Sequence, residues 1–329
     1  MKTYYLLKIA STLSKFIPTR VGYWLCSLVG GVIFYFMPST RRAVMDNLRH
    51  VLPGSTRHVR RNIARKTIRN TFKNYYDVVR LPHLKVADIE RMVASLEGLE
   101  HLENAYSKGR GVIVIGAHIG NFNLVAQLAV ARGYKVVFVA EDVKPEKLFN
   151  YINNDLRASL GLKFIKMGSS QVRTIYRFLR DGSVLLLAVD RDVTEAGLPV
   201  RFFDALADLP GGPVELALRL KVPLVPAVTY RLSNSKNVVI IRPPIELERT
   251  GDNARDIQAN LRKVAQVLEE FISKAPDQWT VLQKVWDRDY TEENEGSGTG
   301  GQGSGNGNEK IEANVQQEEA FSPSLVADH

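Results

Sequence analysis

The chain has 329 residues, of which 45% are hydrophobic and 24% charged, so it can bury a full core and is not a small scaffold held by cross-links. Its single cysteine, Cys26, excludes an internal disulfide and a cysteine metal cluster. The net charge of +9 is unevenly divided: residues 291–329 hold eight acids and one base, which leaves a charge of +16 on the first 290 residues.

Four helices are predicted at the amino-terminal end, over 3–17, 21–37, about 39–51 and 56–80. Residues 1–80 carry fifteen Lys and Arg side chains against only Asp46 and Asp77, which indicates an anionic partner, either a nucleic acid or an anionic membrane. The run 21–36 is uncharged and has aromatic residues near both ends, as interfacial segments do. We therefore predict an anionic membrane surface as the partner and no nucleic acid.

The uncharged run is 16 residues long, which is short of the roughly 20 residues needed to span a bilayer. This length favours a helix that dips into one leaflet. A buried core helix is the alternative.

Strands and helices alternate from residue 93 onward. Strands are predicted at 93–97, 111–117, 135–140, 184–190, 224–232 and 237–242, and helices near 99–108, 121–132, 145–160, 169–181, 211–221 and 253–274. This pattern predicts an α/β fold with a mixed, largely parallel central sheet flanked by helices. We expect membrane-associating basic helices in 1–85, an α/β domain in 86–290, and a disordered, acidic, glycine-rich tail in 291–329.

His118 follows the apolar strand 112–115 and precedes a helix that begins just after Gly120. Ligands of open α/β sheets bind at this edge, where the first amides of the helix are unpaired. His118 is therefore either a general base or a buried histidine bonded to the backbone. No G-x-S-x-G elbow surrounds a serine, and no motif indicates a metal site.

A second polar group, Asp190, Arg191 and Asp192, follows the apolar strand LLLAV. Charges at a strand end are costly unless they are paired. They are either an ion-pair network that braces the sheet or a substrate clamp, and two polar strand ends in one sheet favour an active crevice.

Three blocks carry a family resemblance: AHIGNFN, then AVDRDVTEAGLPVRFFDALADLPGGPVELALRLKVPLVPAVTYR, then PDQWTVLQKVW. In order and spacing they resemble the bacterial membrane acyltransferases that add late acyl chains to lipid A and acylate phosphatidylinositol mannosides. The DRD, G-x-x-V-x-FF and P-x-GP elements are more similar to the mannoside branch.

The resemblance implies transfer of an acyl group from a thioester, acyl-CoA or acyl carrier protein, to a hydroxyl of a glycolipid or lysophospholipid at the cytoplasmic face of the cell membrane. No cofactor is implied, since the thioester is itself a substrate. The family pairs a histidine with an acid five residues later. Here the histidine is His118, the general base, and the position of the acid holds Asn123, whose carbonyl can fix the ring tautomer without supplying a charge.

The remaining residues expected to contact substrate are Gly120, Asn121, Asp190, Arg191, Asp192 and Glu195. Amides after Gly120, or Arg191, are expected to stabilise the oxyanion. Asp190 and Asp192 are expected to hold Arg191 or bind sugar hydroxyls, whereas Phe202, Phe203 and Trp279 are expected to pack as core.

Two other functions stay open. The replacement of the acid by Asn123 is compatible with a non-catalytic membrane-bound lipid-binding or scaffold protein. A hydrolase that uses His118 to activate water is the third possibility, and it requires thioester cleavage without an acceptor.

Overall fold

The computed structural model describes residues 2–158, 160–168 and 171–288. The α-helices of this part are α1 (Lys2–Ser14), α2 (Thr19–Phe36), α3 (Pro38–Val51), α4 (Arg57–Arg80), α5 (Val86–Arg91), α6 (Leu99–Tyr106), α7 (Phe122–Ala131), α8 (Glu146–Asn150), α9 (Val172–Arg180), α10 (Gly212–Leu220) and α11 (Asn253–Lys274). A π-helical segment, Tyr151–Arg157, continues α8.

The strands are β1 (Val93–Glu97), β2 (Val112–Gly116), β3 (Val136–Ala140), β4 (Lys163–Lys166), β5 (Val184–Ala188), β6 (Leu198–Phe202), β7 (Ala205–Leu209), β8 (Leu224–Arg231) and β9 (Asn237–Ile241). Seven of them form one sheet in the order β1-β9-β8-β2-β5-β3-β4, and β6 pairs with β7 in a separate hairpin. All neighbours in the large sheet are parallel except β8 and β9. The predicted mixed, largely parallel sheet is confirmed.

Alternation along the strands divides the core into two layers. Ile113 and Ile115 of β2 face the layer that contains α10 and α11, whereas Val112 and Val114 face the layer that contains α5, α6 and α7. Strands covered on both faces read as continuous apolar runs, which is why the central strands were predictable from the sequence.

Small residues of α2 lie where this helix packs against α4. The buried residues of α2 include Gly22, Gly30 and Gly31, and a Cβ on Gly30 would lie 2.8 Å from the Cα of Arg69 in α4. Bulky side chains on the other side of α2, such as Trp24 and Phe36, are exposed, whereas Tyr23 and Phe34 are buried. Within the described residues, α2 is the one helix long and apolar enough to cross a membrane.

Several elements differ from the prediction. The strand β4, the hairpin β6-β7 and the short helix α5 were not predicted, and the helix expected over 145–160 is α8 followed by the π-helical segment. The predicted domain limits stay predictions. The segment 291–329, predicted to be a disordered tail, lies outside the described residues.

Candidate active site

His118 lies two residues beyond the carboxyl end of β2. Because β2 and β5 are parallel with Gly116 opposite Ala188, the residues two positions further on, His118 and Asp190, become neighbours. His118 Nδ1 lies 2.7 Å from Asp190 Oδ1, and the His118 amide donates to Asp190 Oδ2 at 2.9 Å. The sequence predicted both residues at one crevice, but not their contact.

The carboxylate of Asp190 has no exposed surface, and Trp279 Nε1 donates to its Oδ2 at 2.7 Å. Burial raises the pKa of Asp190, but the His118 charge and the hydrogen bonds from His118 and Trp279 outweigh burial and hold that pKa below its usual value. When the imidazole is neutral, the proton on Nδ1 that faces the anionic Asp190 leaves Nε2 as the acceptor of the ring. The His118 side chain is 25% exposed, so the ring stays accessible.

A carboxy-terminal segment, residues 276–286 and here called the strap, fixes the backbone around His118. The His118 carbonyl accepts hydrogen bonds from the amide of Thr280 at 2.8 Å and from its hydroxyl at 2.9 Å. Ile119 forms an antiparallel bridge with Trp279, which is buried as expected. Trp279 therefore belongs to the core and also orients Asp190, a role that the sequence did not indicate.

The backbone requires glycine at position 120. Its φ of +57° lies in the left-handed region, and a Cβ there would lie 2.3 Å from the Thr229 carbonyl oxygen. Its amide already donates to the Gln278 carbonyl at 3.1 Å. The Gly120 amide is therefore not a free donor for an oxyanion.

The expected contact between Asn123 and the imidazole is wrong. Asn123 is the second residue of α7, and within the described chain no hydrogen bond joins it to His118, because Asp190 occupies Nδ1. The His118 ring instead meets Phe122 edge to face at 5.0 Å between centroids. The buried Oδ1 of Asn123 has no hydrogen-bond partner among the described atoms.

A second buried carboxylate, Asp77 of α4, holds the other end of the same loop. Asn121 Nδ2 donates to Asp77 Oδ2 at 2.9 Å, and Arg231 of β8 donates to the same oxygen at 2.6 Å. Tyr23 of α2 donates to Asp77 Oδ1 at 2.7 Å. Asn121 is thus a positioning residue in this structure, placed where substrate contact was expected. The sequence did contain one signal for a special role of Asp77, since it is one of two acids in a basic segment of 80 residues.

The remaining acidic block is divided between two local structures. Arg191 pairs with Glu141 at 2.5 Å, so the expectation that Asp190 and Asp192 hold Arg191 is wrong. Asp192 closes a turn by accepting hydrogen bonds from the amides of Thr194 and Gly197.

Glu195 lies in the same turn. It has a φ of +56°, and its carbonyl accepts a hydrogen bond from Arg288 at 3.4 Å. Asp192 and Glu195 thus lie on one loop, whereas Asp190 contacts His118.

A small apolar cleft of about 40 Å³ opens beside His118, between α7 and the sheet. Ala117, which precedes His118, and Phe122, whose ring contacts that of His118, line the cleft together with the carboxyl-terminal parts of β2, β5 and β8. Thr229 is the one hydroxyl among its lining residues, and its buried Oγ1 has no hydrogen-bond partner in the described chain. Within the described residues, no three His, Cys, Asp or Glu side chains converge as a metal site.

Comparisons with known proteins agree with this architecture. The family described as bacterial lipid A biosynthesis acyltransferase matches residues 1–288. A phosphatidylinositol mannoside acyltransferase of Mycobacterium tuberculosis is 30% identical over 223 residues, which are 66% of this chain and 67% of that protein. A protein of the same name from Mycolicibacterium smegmatis is 23% identical over 250 residues, which are 75% of this chain and 80% of that protein. The chain therefore belongs to the bacterial lipid A biosynthesis acyltransferase family and is a lipid acyltransferase.

Proposed function

We propose that this enzyme transfers a fatty acyl group from an acyl thioester, acyl-CoA or acyl carrier protein, to a hydroxyl of a glycolipid or lysophospholipid, with His118 as the general base. The observation that carries the proposal is the buried contact of 2.7 Å between Asp190 and His118 Nδ1. This contact fixes the tautomer whose Nε2 accepts a proton, next to a cleft with an apolar lining.

In the proposed reaction, Nε2 of His118 removes the proton of the acceptor hydroxyl while its oxygen attacks the thioester carbon. The imidazolium that forms is stabilised by Asp190. The tetrahedral intermediate then expels the thiolate by breaking the carbon–sulfur bond, and the imidazolium returns its proton to the sulfur. The reaction needs no cofactor, because the thioester supplies both the acyl group and the driving force.

The oxyanion needs hydrogen-bond donors that are not already in use. The amides of Phe122 and Asn123 open α7 and have no partner within the helix. The hydroxyl of Thr229 lines the cleft without a partner among the described atoms. The amides after Gly120 thus stay the proposed donors, together with Thr229, whereas Arg191 already donates to Glu141.

A membrane surface is the proposed platform. The exposed side of α2 carries Trp24, Leu28, Val32 and Phe36, and the first 80 residues carry a large excess of positive charge. Apolar side chains inserted at an interface and cations near anionic headgroups reinforce each other. Because acyl-CoA and acyl carrier protein are water-soluble donors of the cytoplasm, we place the enzyme at the cytoplasmic face of the cell membrane.

The relatives named as phosphatidylinositol mannoside acyltransferases make a polyol headgroup the first acceptor to test. A decisive assay supplies labelled palmitoyl-CoA, palmitoyl carrier protein and a panel of glycolipids and lysophospholipids in anionic vesicles, and follows acylated lipid and released thiol together. We expect wild-type protein to form acylated lipid and His118→Ala to lose at least about 10³-fold in rate.

His101 of α6 provides the matched control, since His101→Ala alters an imidazole that does not line the cleft. Full activity of His118→Ala would reject the general base. Vesicle binding by the wild type without any product would favour the scaffold function, and released thiol without acylated lipid would favour a hydrolase.

The hydroxyl of Thr229 has its own isosteric test. Thr229→Val removes one oxyanion donor without changing side-chain shape, and a loss of about 10²–10³-fold in kcat is expected. Thr229→Ser restores the hydroxyl and should recover most of the rate. Equal activity of wild type and Thr229→Val would remove Thr229 from the oxyanion site.

A further inference from the structure

The floor of the cleft is a lateral row of side chains across three strands. Val114 of β2 is in register with Leu186 of β5, which is in register with Phe138 of β3. All three line the cleft. From Ala117, beside His118, the path runs about 10 Å down β2 to Val114 and about 10 Å across two strand spacings to Phe138. The cleft therefore has a direction, from the catalytic edge towards β3.

The row continues beyond the cleft. Phe164 of β4 is in register with Phe138, and the two ring centroids are 5.6 Å apart. Phe164 does not line the cleft, so Phe138 is the last ring that the cleft reaches on this side.

Arg157 holds both rings from above. Its guanidinium lies 4.7 Å from the centroid of Phe138 and 4.6 Å from that of Phe164, distances at which a cation attracts an aromatic face. Burial lowers the pKa of Arg157 to about 10. Within the described residues no carboxylate pairs with this guanidinium, so the rings and the Asn153 amide oxygen at 3.0 Å are its partners.

The segment that carries Arg157 is anchored to the helix above the cleft. Gln127 of α7 is fully buried and donates from Nε2 to the Arg157 carbonyl at 2.5 Å. Arg157 ends the π-helical segment Tyr151–Arg157, and such segments are frequent at functional sites. Phe138 is thus held by its own strand and by the guanidinium of Arg157. Arg157 is held in turn by α7.

We propose that Phe138, clamped by Arg157, is the end wall of the acyl-binding cleft and sets the length of the acyl chain that the enzyme transfers. The inference rests on the proposed function, because it assigns the cleft to the acyl chain of the thioester donor. Phe138 acts on specificity and takes no part in proton transfer.

The test compares saturated acyl-CoA donors of increasing length and measures kcat/KM for each with wild type, Phe138→Ala and Phe138→Trp. Removing the ring extends the cleft, so the preferred donor should become longer in Phe138→Ala. Filling the cleft with an indole should make the preferred donor shorter in Phe138→Trp. When the cleft accommodates or rejects two further methylene groups, the ratio of kcat/KM between neighbouring donors should change by about tenfold or more.

Phe164→Ala is the matched control. It removes a ring of the same type, in the same row and under the same guanidinium, but outside the cleft, so the length preference should not change. Phe138→Leu provides a milder enlargement if the alanine variant folds poorly. A ratio between two donors does not depend on the folded fraction of the sample.

Opposite shifts in Phe138→Ala and Phe138→Trp, with no shift in Phe164→Ala, support the inference. An unchanged preference in both Phe138 variants, or an equal shift in Phe164→Ala, would overturn it while leaving the acyltransferase function intact. Wild-type protein that transfers no acyl group from any donor would instead reject the proposed function itself.

Discussion

Two buried aspartates hold the two ends of one loop, and they differ in what they bind. Asp190 contacts His118, whose side chain is 25% exposed, whereas Asp77 contacts Arg231, whose side chain is 6% exposed. Both carboxylates are almost completely removed from solvent. An imidazole can take up and release a proton during a reaction, whereas a guanidinium stays charged. In the proposed function, the carboxylate of Asp190 therefore supports proton transfer, whereas that of Asp77 fixes position.

The two pairs also join different parts of the molecule. Asp190 links neighbouring strands of the sheet and the strap, so its contacts all lie within the α/β part. Asp77 joins α4 to α2 through Tyr23 and to β8 through Arg231. Loss of the first pair should affect mainly catalysis, and loss of the second mainly the attachment of the amino-terminal helices to the site.

The largest expected effect comes from Asp190→Asn. The amide keeps the shape of the carboxylate but favours the wrong imidazole tautomer and cannot stabilise the imidazolium, and a comparable substitution in a related dyad lowers kcat by about 10⁴-fold. Acyl transfer and thermal unfolding should be measured on the same preparation. If Asp190→Asn unfolded at a lower temperature, and the smaller folded fraction accounted for its loss of rate, Asp190 would have a structural role like that of Asp77.

The next effect is on stability. Asp77→Asn leaves the Arg231 guanidinium buried without a counter-ion, and breaking a buried pair costs about 3–5 kcal/mol. Denaturant unfolding should show this loss, while the rate per folded molecule falls far less than in Asp190→Asn.

Asp46→Asn is the matched control for Asp77→Asn. Asp46 is the other acid of the first 80 residues, and it pairs with Arg49 at the surface at 3.3 Å. Surface pairs contribute about 0–1 kcal/mol, so this variant should unfold nearly as the wild type does. Equal destabilisation by both substitutions would contradict the special role of the buried pair.

A smaller effect concerns pH. The folded-state pKa of Asp190 is depressed by its contact with His118, against an ordinary value of 3.8. Its contribution to stability is therefore complete above that value and is lost as pH falls through the lower folded pKa. The free energy of unfolding of wild type should fall more steeply below about pH 4 than that of Asp190→Asn. If the free energy of unfolding fell equally steeply in both proteins below about pH 4, Asp190 would not be ionised in the folded protein.

The smallest effect is expected from Asn123→Ala. Asn123 makes no hydrogen bond to His118, and removing a buried polar atom that lacks a partner is close to neutral, within about 1 kcal/mol. The rate of acyl transfer should stay near that of the wild type. A loss as large as that of Asp190→Asn would instead make Asn123 the partner of the catalytic base, as the spacing of the family motif suggests.

The sequence predicted the histidine but not its partner, and the reason is topological. His118 and Asp190 each follow an apolar strand, and that signal is local. Their contact depends on β2 lying next to β5, although β3 and β4 come between them in the chain. The H-x₄-N spacing led to the prediction that Asn123 is the partner of His118, because a sequence shows only how far apart two residues are along the chain.

Other features lacked a sufficient local signal. The hairpin β6-β7 turns at Phe203 and Asp204, and Phe203 has a φ of +55° where such turns usually have Gly or Asn. Asp77 and Arg231 are separated by 154 positions. By contrast, the central strands and α11 were predictable, because continuous apolar runs and helical periodicity are properties of the segment itself.

The strap has a consequence for the order in which the protein is made. Trp279 and Thr280, which complete the surroundings of Asp190 and His118, lie late in the chain, whereas α2 lies near its beginning. A chain emerging from the ribosome presents its amino-terminal helices first. The amino-terminal helices of the nascent protein are therefore available before Trp279 and Thr280 exist, and the surroundings of Asp190 and His118 are complete only once synthesis has passed the strap.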